Sequence, residues 1–172
     1  PLTSYGAQKV VSELLLADYS RKNMVDGISI RLPTICVRPG KPNLAASGFF
    51  SGIIREPLNG VKAILPVSTD TRHLFASPRS AIGFLIHAVE LDTKKLNNRI
   101  TLNMPGLSVT VQEQIESLKR IAGNEIVKLI KHKADPQIQK IVGSWAKDLE
   151  AKRAADLGFK ADNSFDDIIK IY

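Results

Sequence analysis

The run ISIRLPTICV, residues 28–37, constrains the fold of this 172-residue chain more than any other stretch. Most of its positions are β-branched or apolar, without the alternation of a strand that has one wet face. A strand of that kind is buried on both sides, as in a parallel sheet, and needs helices to cover it. Pro33 cannot donate to a ladder, so the strand is expected to bend or end there.

The flanking segments supply those helices. Residues 4–22 carry Val10, Val11, Leu14, Leu15 and Leu16 at helical spacing, with Thr3 or Ser4 placed to cap the first turn. After the small-residue loop RPGKPNLAASG, a short helix is expected around FFSGIIREPL. KAILPV and RHLFA read as strands, and PRSAIGFLIHAVEL as an amphipathic helix with proline in its first turn. RITLNM reads as a strand. TVQEQIESLKRIAG reads as a helix opened by a Thr110–Glu113 capping box and stopped at Gly123. EIVKLI is expected to be a strand, and SWAKDLEAKRAADLGF and SFDDIIKIY helical. The order is alternating α and β, with no repeat and no linker.

Composition excludes several classes. No apolar run is long enough to span a membrane. A single cysteine, Cys36, rules out an internal disulfide and fits a reducing cytoplasm. The 24 Lys and Arg against 17 Asp and Glu give a net charge of +7. The densest basic stretch, KLIKHKADPQIQK, has no aromatic residue for base stacking, so it reads as a solvated face and nucleic acid is not the expected partner. The three histidines lack metal-ligand spacing, His87 reads as a satisfied core or edge histidine, and no metal is assigned.

One pair carries chemistry. In SYGAQK the spacing Y-x-x-x-K puts Tyr5 and Lys9 on one helix face, a turn apart. A free phenol titrates near pH 10, so a tyrosine base needs positive charge beside it, and a lysine one turn on supplies that charge. Alone, the pair reads first as two surface residues of an amphipathic helix.

Other stretches change the weight of that pair. TSYGAQKVVSELLLADYS resembles the active-site helix of the extended short-chain dehydrogenase/reductases. RLPTICVRPG resembles their following strand and substrate loop. RHLFASPRSAIGFLIHAVEL resembles their Arg-led strand and helix, and RAADLGFKADNSFDDIIKIY their last element. The resemblance runs in order along nearly the whole chain. It implies an α/β fold: the C-terminal part of a Rossmann-type doubly wound parallel sheet plus a small α/β substrate-binding domain. Residues 1–40 would belong to the dinucleotide-binding domain, and 41–172 mainly to the substrate domain, returning to the sheet around 72–103.

The same resemblance implies an NAD-dependent oxidoreductase, with Tyr5 taking a hydroxyl proton, Tyr5 and Lys9 both lying against the cofactor, and Lys9 holding its ribose. Pro33, Thr34 and Ile35 would lie against the nicotinamide and substrate, although a strand broken by proline explains them as well. The loop segments are similar to those of sugar-acid dehydrogenases more than sugar-nucleotide epimerases, which often carry Asn where Thr34 falls. A sugar acid needs cations and donors, for which Arg38, Lys41, Asn43, Ser47 and Arg72 are candidates as a group. The alternatives are a nucleoside-diphosphate-sugar epimerase or dehydratase, and a non-catalytic basic binding module. Family members open with G-x-x-G-x-x-G, which this chain lacks, along with their catalytic Ser or Thr. The expectation is therefore a C-terminal half, inactive alone, that forms a homodimer through the helix bearing Tyr5.

Overall fold

The computed structural model describes residues 1–41 and 45–172. Helix α1 spans Ser4–Arg21. Thr3 caps it, its side chain accepting from the Gly6 amide at 3.0 Å. The expected strand after it is two: β1, Ser29–Arg31, and β2, Thr34–Ile35, parted by Leu32 and Pro33.

The break has a topological meaning. β1 pairs in parallel with β5, Thr101–Asn103, whereas β2 pairs in parallel with β4, Arg72–Ala76. The chain changes sheets at the proline, where a missing N–H costs no ladder bond. β4 also pairs antiparallel with β6, Leu107–Thr110, a strand not expected from the sequence. A third sheet joins β3, Ala63–Leu65, in parallel to β7, Ile130–His132.

The helices α2, Gly48–Leu58, and α3, Pro78–Glu90, form as expected. So does α4, Val111–Ala122, with its Thr110–Glu113 capping box and Gly123 at φ 88°. EIVKLI corrects the reading: its first half is a helical turn, α5, Asn124–Val127, and only its end enters β7. Six apolar and charged residues are too few to tell a strand from a buried turn by period. Helix α6, Pro136–Gly143, is not among the helices expected from the sequence. In the tail, helix is confined to α7, Lys152–Asp156, and α8, Phe165–Ile171.

Two apolar clusters hold these elements. One gathers Cys36, Val37, Phe50, Ile54, Phe75 and Phe165, and the other Ala76, Phe84, Leu102, Met104 and Phe159. Each fully buried large side chain contributes about 1.5–3 kcal/mol by leaving water. Ile35 packs on the second cluster and Cys36 belongs to the first; Ala76 and Phe75 divide the same way. The β2–β4 pair is therefore the seam between two cores. Among the described residues, no helix is long and apolar enough to cross a membrane.

Candidate active site

Tyr5 and Lys9 stand together at the N-terminal end of α1. The Lys9 ammonium lies 5.3 Å from the centre of the Tyr5 ring, close enough for cation–π attraction. Tyr5 is 70% exposed, and α1 buries none of its residues. Lys9 forms no ion pair among the described residues, so its donors are open to a ligand. An exposed phenol beside an unpaired cation can exchange a proton with a molecule lying along this face.

At the seam, Pro33 is buried while Thr34 and Ile35 are half-buried. The Thr34 hydroxyl sits 2.7 Å from Nε2 of His73 on β4. That imidazole is 7% exposed and stacks on Phe50, with ring centres 5.0 Å apart and planes 5° off parallel. Phe75 meets it edge-on and Trp145 lies 5.5 Å away. Burial pushes the pKa of His73 down to about 4, with the Ala146 backbone working weakly the other way. His73 is therefore neutral at physiological pH. The sequence reading placed it only among scattered histidines. Strand alternation puts His73 and Phe75 on one face, but its contact with Thr34, 39 positions away, depends on register.

The expected cations separate. Arg38 is half-buried, and its guanidinium donates to the Ser47 hydroxyl at 3.3 Å. Arg72 is tied elsewhere: it donates to the Ser108 carbonyl at 2.7 Å and pairs with Glu113 at 3.3 Å. Lys41 is exposed, and Asn43 lies outside the described residues. Two residues not anticipated from the sequence, Ser51 and Arg55, bind the backbone of Arg38. Cys36 is fully buried and its thiol is pushed up to about 12 by desolvation, which removes it as a nucleophile. His87 is satisfied as expected, its Nε2 lying 2.8 Å from the Leu157 carbonyl.

Comparison with known proteins adds independent findings. No family model matches the chain. D-erythronate dehydrogenase of Cupriavidus necator is 51% identical over 172 residues, covering all of this chain and 53% of that protein. The Haemophilus influenzae D-erythronate dehydrogenase is 46% identical over 170 residues, 99% of this chain and 54% of that protein. Along its whole length the chain is similar to about half of each of these two dehydrogenases. Its fold agrees with that of a solved structure described as a nucleoside-diphosphate-sugar epimerase from Agrobacterium tumefaciens. The two share 58% identity at a TM-score of 0.96, over 99% of this chain and 50% of that one. The chain thus spans about half the length of the relatives it matches.

Proposed function

We propose that this chain carries the proton-transfer and substrate-binding residues of an NAD-dependent dehydrogenase that oxidises D-erythronate to 2-dehydro-D-erythronate. The observation that carries the reading is identity of 51% to a D-erythronate dehydrogenase along the whole chain, with the Tyr5–Lys9 pair open on one helix face.

The residues present suit such a cofactor, because the Lys9 ammonium has no ion-pair partner among the described residues and stands one turn from the phenol. When bound, NAD supplies the acceptor for the hydride that leaves the alcohol carbon. Tyr5 takes the proton of that hydroxyl, with the Lys9 ammonium standing beside it. Lys9 also donates to the ribose hydroxyls. Pro33, Thr34 and Ile35 form the wall against the reacting carbon, while Arg38 and Ser47 hold the sugar acid's carboxylate. Lys41, Asn43 and Arg72 complete the substrate-binding group in this reading, with Arg72 the most engaged elsewhere.

Residues 1–40 belong in this reading to a dinucleotide-binding part, and 41–172 mainly to a substrate part, returning to the sheet around 72–103. The two apolar clusters either side of the β2–β4 seam support that division. The exposed Val11, Leu14 and Leu15 support α1 as the contact between two copies in a cytoplasmic homodimer. A second reading, a nucleoside-diphosphate-sugar epimerase, is favoured by the name given to the Agrobacterium tumefaciens structure. Incubating the complete gene product with NAD and four-carbon sugar acids separates the two. Net NADH with D-erythronate supports the dehydrogenase; none, from protein that interconverts sugar nucleotides, supports the epimerase.

A further inference from the structure

A buried arginine demands an explanation. Arg55 on α2 is 8% exposed and ion-pairs with Glu56 beside it. Burying such a pair does little for stability, because the loss of hydration offsets the attraction. What the guanidinium does instead is reach across to the preceding loop, where Nη1 donates to the Arg38 carbonyl at 2.8 Å.

Arg55 does not act alone. One turn earlier on the same helix, Ser51 is buried, and its hydroxyl accepts from the Arg38 amide at 3.0 Å. One turn earlier again, Ser47 at the N-cap accepts from the Arg38 side chain at 3.3 Å. The spacing S-x-x-x-S-x-x-x-R aligns all three on one face of α2. Both backbone polar groups of Arg38 and one end of its guanidinium are thus held by a single rigid element. An arginine on a loop would otherwise lose rotamer and backbone freedom each time it closed on an anion.

We infer that Arg55 is a positioning residue that, through the Arg38 carbonyl, presets the Arg38 guanidinium for the carboxylate of the substrate. The inference rests on Arg38 binding the sugar acid, as proposed above. Arg55→Lys keeps the charge but loses the planar fork that serves Glu56 and the Arg38 carbonyl together.

The test is a double-mutant cycle in the complete gene product, measured as KM for D-erythronate, KM for NAD and kcat. Arg55→Lys is expected to raise the D-erythronate KM about ten-fold, with the other two constants within about two-fold. In an Arg38→Gln background the same change is expected to add less than about two-fold, because the group it positions is gone. An equal rise in both backgrounds, or none in folded protein, overturns the inference. If Arg38→Gln itself leaves KM unchanged, the assignment of Arg38 falls and the inference with it. If Arg38→Gln raises KM and Arg55→Lys does not, only the inference falls. Should Arg55→Lys fail to fold, as judged by its thermal midpoint, Ser51→Ala replaces it in the cycle with the same two expectations.

Discussion

The Thr34 hydroxyl and His73 Nε2 are 2.7 Å apart, inside a wall built by Phe50, Phe75 and Trp145. This contact ties the start of β2 to β4 where the two cores meet. It also gives the fold a defined acid sensitivity. His73 titrates at 6.5 as a free side chain and at about 4 when folded. Between those values the unfolded chain binds the extra proton, so stability is full above the upper value and is lost as pH falls through the window. Acidifying from pH 7 to pH 5 is expected to cost about 2 kcal/mol through this residue. In His73→Gln the loss on acidification should shrink by that amount, read from urea midpoints at the two pH values. An identical loss in both proteins would contradict the assignment.

Gly106 stands against the same seam. A Cβ there would sit 2.7 Å from the Phe75 carbonyl oxygen and 2.9 Å from Pro33 Cγ. Neither neighbour is a flexible side chain, so the strain cannot be relieved cheaply. Gly106→Ala is expected to destabilise the protein by about 1–3 kcal/mol, measured by urea unfolding. A neutral result would mean that β4 and β6 shift apart freely.

Leu14 is 66% exposed on a helix with no buried residue. Leu14→Glu should therefore change the stability of a single chain by less than about 0.5 kcal/mol. In the homodimer proposed through α1 it places a charge in an apolar contact, and sedimentation should report a monomer. An unchanged sedimentation coefficient would remove α1 as the dimer contact.

Much of this was legible in the sequence, for local reasons. The Thr110–Glu113 capping box, Gly123 and the interruption at Pro33 act over a few residues, and the structure has each where expected. The Tyr5–Lys9 pairing needed only helical spacing. EIVKLI was misread because the segment is too short for its period to decide. LSVT was passed over because its strand character comes from pairing with β4. His73 and Arg55 were missed for a deeper reason. Their partners lie 39 and 17 positions away, and only strand register and helix docking bring them together.

Tyr5 is proposed above as the base of a sugar-acid dehydrogenase. The most direct measurement is NADH formation from D-erythronate and NAD by the complete gene product and by its Tyr5→Phe variant. Tyr5→Phe removes one hydroxyl from a 70% exposed ring, so the variant should fold as before. NADH is expected from the first protein, with a loss of about 10²–10⁴-fold in kcat in the second. Equal rates in both would contradict it.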